Sequence, residues 1–143
     1  MAKNDFTYEF ETSKSAGEVF DLLTEIPKWW SGLHEETITG KSGRLGDEFS
    51  FTAGRGMHHT EQQVVELVPG KKLVWLVTDA KLTFVENTGE WKGTKFGFYL
   101  APANGKTHVT FIHDGLVPEV ECFEQCSAGW TGYLKQLENR LNG

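Results

Sequence analysis

With 143 residues and 13% aromatics, the chain is long enough for one domain with a real core, and its 24% of charged residues is globular rather than disordered. Its net charge is −6 and no basic run exceeds the pair Lys71–Lys72, so it lacks the clustered cations that phosphate neutralisation needs, and nucleic acid is excluded as a partner. No apolar stretch approaches the roughly 18 residues of a membrane span; Met1 to Asp5 lacks the apolar segment of a secretory leader, and two cysteines in such a chain predict a cytoplasmic protein with free, buried thiols.

The first element is a strand, since Phe6, Tyr8 and Phe10 alternate with Thr7 and Glu9. Ser15 with Glu18 has capping-box spacing, and Val19, Phe20, Leu22 and Leu23 form the apolar stripe of a short helix behind it. Pro27 suits the first turn of a second short helix carrying Trp29 and Trp30 and ending near Ser31-Gly32. From Thr37 to His113 strands and turns follow one another. Phe49-Ser50-Phe51-Thr52 alternates cleanly, residues 58–68 form a strand stopped by Pro69-Gly70, and Leu73 to Val77 is a continuous apolar run of a central strand. Asn87-Thr88-Gly89 marks a turn before a strand from Trp91 to Leu100, and Asn104-Gly105 is the strongest hairpin signal in the chain. Thr107 to His113 is the last strand. Beyond Gly115, Pro118 fits a helix start, and Phe123, Cys126, Trp130, Tyr133, Leu134, Leu137 and Leu141 step by three and four along one long amphipathic helix. Gly129 and Gly132 weaken that helix by about 1 kcal/mol each, and the reason to keep them is room for bulky sheet side chains or for a ligand.

The expected fold is therefore α+β: a curved antiparallel sheet of about six or seven strands gripping a long C-terminal helix, with two short helices between strands one and two. Residues 1–143 read as one domain. Ten Phe, five Trp and three Tyr must be buried together or shaped around something, since each ring hides roughly 150–250 Å².

The sequence also resembles a known group, and the residues that carry the likeness are spread along it. They are Val19-Phe20, Trp29-Trp30-Ser31, Gly46-Asp47 with Phe49, Val64 through Trp75 with its Pro69-Gly70 turn, Trp91-Lys92-Gly93-Thr94, Thr107 to His113, and Gly115-Leu116. Together they resemble the START and birch-pollen-allergen-like (SRPBCC) helix-grip superfamily, and within it the subgroup similar to the C-terminal domain of the activator of the heat-shock chaperone ATPase. The resemblance implies a cavity between sheet and helix, used across the superfamily for lipids, hormones and polyketide intermediates, and in some members a co-chaperone or enzymatic role.

On the residues themselves, Trp30, Met57, Trp75, Trp91, Phe96, Phe98, Phe111, His113 and Trp130 are the candidate ligand-binding set. His113 shares a strand face with Phe111 and Val109, and is either a polar cavity group or an imidazole held by structural hydrogen bonds. His58 and His59 point to opposite faces and cannot share a metal. Cys122 and Cys126, four apart on a helix, supply too few ligands for zinc, and a disulfide inside regular helix is awkward. There is no nucleotide-binding glycine loop, nucleophile elbow or zinc-hydrolase histidine pair. No metal, cofactor or catalytic residue is therefore assigned. The leading expectation is binding of a small hydrophobic or lipid-like molecule by a monomer or homodimer. Two alternatives are an interaction module for a chaperone ATPase and a cyclase- or dehydratase-like enzyme pairing His113 with Glu90.

Overall fold

The computed structural model describes residues 5–143, so the reading of Met1 to Asn4 lies outside it. Seven antiparallel strands form one curved sheet: β1 (Phe6–Thr12), β2 (Thr37–Gly40), β3 (Glu48–Ala53), β4 (His58–Val68), β5 (Lys72–Leu82), β6 (Lys95–Ala103) and β7 (Lys106–Asp114). Their spatial order is β1-β7-β6-β5-β4-β3-β2, a meander in which β1 closes against β7 in the register Tyr8 to Phe111. Helix α1 (Ala16–Leu23) and a single 3₁₀ turn (Ile26–Lys28) lie between β1 and β2, and the long helix α2 (Phe123–Asn142) ends the chain. The helix-grip architecture expected from the sequence is the one observed.

Local chemistry accounts for most boundaries. Ser15 caps α1 by accepting from the Glu18 N–H, while the Glu18 carboxylate accepts from the Ser15 N–H, so the capping box forms as spaced. Asn104 and Gly105 both take positive φ, 53° and 80°, which is the backbone of a tight hairpin turn whose twist matches the flanking strands. Gly97 sits where β6 crosses Val74 of β5; a Cβ there would lie 2.6 Å from the Leu73 carbonyl oxygen, so only glycine lets the two strands pair.

Three boundaries differ from the sequence reading. The 3₁₀ segment stops at Lys28, so Trp29 and Trp30 follow it rather than ride on it. Strand β6 begins at Lys95, because residues 86–94 fold into a turn that carries Trp91. Helix α2 begins at Phe123 instead of Pro118. Its early amides are taken elsewhere: the Glu90 carboxylate accepts from the N–H groups of Glu121 (2.7 Å) and Cys122 (3.1 Å). The Glu121 carboxylate answers by accepting from the amides of Glu86 and Asn87. This reciprocal clamp holds residues 121–122 out of helical geometry.

The consequence is a correction at the cysteines. Cys122 and Cys126 are disulfide-bonded, with Cα atoms 5.6 Å apart, and are not the free thiols expected. The objection to a disulfide within regular helix lapses because Cys122 precedes the helix.

The second half of α2 is tightly seated. Leu134 and Leu137 are fully buried, the Tyr8 hydroxyl donates to Glu138 (2.6 Å), and Gln136 donates to the Ser31 carbonyl (2.7 Å). No helix among the described residues is long and apolar enough to cross a membrane.

Candidate functional site

Around the first half of α2 the packing opens. A cavity of about 270 Å³ lies between that half-helix and the end of the sheet formed by β3, β4 and the turn after β5. The helix contributes Gln125, Cys126, Gly129, Trp130 and Tyr133, the sheet Phe51, Ala53 and His58, and the connecting segments Trp30, His34, Gly54, Met57, Phe84 and Trp91. Its space comes from Gly129, whose position would meet nothing within 4 Å if it carried a Cβ. Room is the expected reason for both Gly129 and Gly132; at Gly132 the neighbour is Leu33, at 3.3 Å, so the open one is Gly129.

The walls are rings in mutual contact. Trp30 stacks on Phe51 at 3.9 Å between centroids and on Trp130 at 4.9 Å, and Trp91 runs parallel to Trp130 at 5.9 Å. Of the nine candidate residues, Trp30, Met57, Trp91 and Trp130 line the cavity. Trp75, Phe96, Phe98, Phe111 and His113 lie together in the packed layer beneath it, each almost fully buried. The residues missed, chiefly Phe51, His58, Phe84 and Tyr133, belong to a different geometry. Phe51 and Tyr133 carried a signal, the alternation of β3 and a step of three from Trp130, whereas Phe84 sits in a turn that no periodicity marks.

His113 belongs to that packed layer and is saturated. The Trp130 indole N–H donates to Nδ1 (3.0 Å), which leaves Nε2 to carry the proton and donate to Thr94 Oγ1 (2.9 Å). Thr94 in turn donates to the Trp91 carbonyl (2.6 Å). Burial, then the neighbouring His58, pushes the His113 pKa down to about 3, so the ring is neutral. Its proposed partner Glu90 is engaged by the amides of Glu121 and Cys122, so the acid–base pair nominated from the sequence is tied up in structural bonds.

His58 is the contrasting case. Its ring meets the edge of Trp91 at 4.8 Å and of Phe51 at 5.5 Å, and Nε2 is buried with no hydrogen-bond partner among the described residues. Burial, then His59 and His34, lowers its pKa to about 4. His59 points away, bonded to Thr52 (2.8 Å), as strand alternation requires.

At the mouth, Glu36 pins the loop after the tryptophan pair. Its carboxylate accepts from the amides of Gly32 (2.8 Å), Leu33 (3.1 Å) and His34 (2.8 Å), and from the Tyr133 hydroxyl of α2 (2.5 Å). Burial acts to raise this carboxyl, but the Tyr133 hydroxyl and the backbone amides outweigh it and hold the pKa at about 2. Among the described residues no group of three or more His, Cys, Asp or Glu is placed to hold a metal ion.

A helix-grip domain whose half-helix roofs an aromatic cavity is the class of protein that this fold and site define. The chain belongs to the family described as activator of Hsp90 ATPase homolog 1-like protein, whose model matches residues 14–142. Among solved structures it is similar to the solution structure of the Aha1 dimer from Colwellia psychrerythraea, at 22% identity and TM-score 0.75, covering 98% of this chain and 97% of that one. It is also similar to a crystal structure of a Chromobacterium violaceum protein, at 20% identity and TM-score 0.71 with 98% of each chain covered. A third, from Mycobacterium smegmatis, is 13% identical at TM-score 0.71, covering 99% of this chain and 95% of that one. At such identities the likeness concerns the fold. No curated protein matches the sequence.

Proposed function

We propose that this protein binds a small apolar or amphipathic molecule in the cavity beneath the first half of α2, and so sequesters or carries it. The observation that carries the reading is the uneven seating of the helix. Its second half is closed down on the sheet, while Gly129 keeps about 270 Å³ open among stacked rings. An apolar pocket of this size, open at one mouth, meets water with few polar partners and leaves its ring-lined walls short of contacts. A ligand restores them. The membership of a family built on the helix-grip frame supports the same reading.

The test is to fill the space. Gly129→Leu places a side chain where a Cβ meets no neighbour within 4 Å. Native mass spectrometry of protein purified from cells is expected to show an adduct on the wild type that the variant lacks, with the variant at least as stable. An adduct-free wild type that also ignores lipid and aromatic libraries in a tryptophan fluorescence titration would remove the proposal.

The family description and the dimeric state of the C. psychrerythraea protein favour a second reading, an interaction module that engages a chaperone ATPase, as a monomer or homodimer. It predicts stimulation of a partner ATPase that persists in Gly129→Leu. A pull-down that recovers no ATPase counts against it.

A further inference from the structure

The cavity also carries information on what kind of molecule fits it. We propose that its ligand is a neutral, mainly apolar molecule of about 11 heavy atoms with one hydroxyl-like group, and that His58 is the residue that selects for that group. This rests on the ligand-binding reading above. The size follows from volume: an apolar cavity of about 150 Å³ holds benzene, so about 270 Å³ holds nearly twice as many atoms. The apolar character follows from the walls, where Trp30, Trp91 and Trp130 stack on one another and present ring edges to the space.

The polar group follows from what is left unsatisfied. The Tyr133 hydroxyl is committed to Glu36, and His34 and Gln125 are exposed at the mouth. His58 is the inner polar side chain of the lining whose buried nitrogen has no partner. Leaving it so is costly, and His113, one layer below, shows what a fully paired imidazole looks like in this core. The histidine χ2 torsion is broad, so a small turn presents a ring nitrogen to the cavity. A neutral imidazole offers one donor and one acceptor, and a hydroxyl matches either. The other unpartnered side-chain atoms among the described residues, Thr60 Oγ1, Gln62 Oε1 and Ser127 Oγ, lie outside the lining, which leaves His58 as the polar contact of the site.

Charge excludes the obvious competitors. No lysine, arginine, aspartate or glutamate lines the cavity, and the Glu36 carboxylate at its mouth is taken up by three amides and the Tyr133 hydroxyl, so a carboxylate or an ammonium would shed its water with no opposite charge to meet it.

Calorimetric titration of the full chain at pH 7 with four probes sharing one bicyclic body tests this: naphthalene, 2-naphthol, 2-naphthoate and 2-naphthylmethylammonium. 2-Naphthol is expected to bind about tenfold tighter than naphthalene, as one neutral hydrogen bond in a desolvated site provides, and tighter than both ions. His58→Phe keeps a ring in the wall and is expected to hold naphthalene while erasing the preference for 2-naphthol. Should that variant fold poorly, the side-chain ¹⁵N resonances of His58 in the wild type give a second readout, moving with 2-naphthol and not with naphthalene. Equal binding of the two neutral probes, tightest binding of either ion, an unmoved His58 signal, or a preference that survives His58→Phe overturns the inference while leaving the carrier reading standing. Failure of every probe to bind likewise overturns the inference, and the carrier reading falls with it only when the wild type also carries no adduct and ignores the lipid library.

Discussion

Trp130 decides the chemistry of His113. Because its indole N–H can only donate, the imidazole nitrogen facing it must accept, and the proton is forced to the nitrogen that faces Thr94. Three hydrogen bonds then run in one direction from α2 through β7 to the turn that carries Trp91. His113→Phe fits the space but orphans the Trp130 N–H in a dry core, so a loss of about 2–4 kcal/mol in urea unfolding is expected. Gly129 should behave in the opposite way. Gly129→Ala meets no neighbour within 4 Å and relieves a helix-interior glycine, so a gain of about 1 kcal/mol is expected in the same assay. A loss on that substitution would mean that the wall is closer than the structure places it. The sequence showed His113 as a choice between cavity group and structural imidazole; its neighbours in space, Thr94 and Trp130, lie 19 and 17 residues away. Strand alternation indicated which face His113 occupies. It had no means of indicating which partners wait there.

At the scale of elements, the strands were legible and the start of α2 was not. Residues 58–68 form β4 as their pattern implies, and Asn104-Gly105 makes the hairpin turn its composition demands. Pro118 looked like a helix start because the local sequence contains nothing to oppose it. The opposition comes from Glu90, 31 residues earlier, whose carboxylate takes the Glu121 N–H and keeps Cys122 at the threshold of the helix. The disulfide sits at that same threshold and is unreadable in the sequence for the same reason. It closes a loop of very few residues, so in the chain-entropy account it contributes only about 2 kcal/mol. Cys126→Ala, or wild type under reductant, is expected to unfold at correspondingly lower urea, and thiol titration of the untreated protein should find both sulfurs blocked. The mouth is governed by Glu36 in a similar fashion. Replacing it by Ala removes the acceptor shared by the amides of Gly32, Leu33 and His34 and unpins the loop from Tyr133. Hydrogen exchange at those amides is expected to rise at least about tenfold, since bonds to a charged group contribute roughly 1.5–3 kcal/mol.

For the molecule as a whole, two histidines kept neutral in an aromatic interior make stability depend on pH in a defined window. His58 and His113 have folded-state pKa values lowered to about 4 and about 3, against an ordinary value of 6.5. Between those limits the unfolded chain binds more protons than the folded one, so stability rises with pH: the contribution is complete above 6.5 and is lost progressively as pH falls toward 4. Each histidine contributes a slope of up to about 1.4 kcal/mol per pH unit. The exposed His108 acts the other way, because its bond to Glu9 raises its pKa, and that effect falls at the top of the window, where rising pH removes it. Glu36, held at about 2, begins to matter only below its ordinary value of 4.5. Acid between pH 6 and 4.5 therefore isolates the two buried rings. Urea unfolding of the wild type across that range is expected to steepen toward about 2–3 kcal/mol per pH unit. His113→Phe should begin less stable at pH 7 yet fall along a slope shallower by one proton, so that the two curves converge in acid. Parallel curves would mean that His113 carries a second proton and is cationic in the folded protein, and the bond from Trp130 to a neutral ring would have to be abandoned.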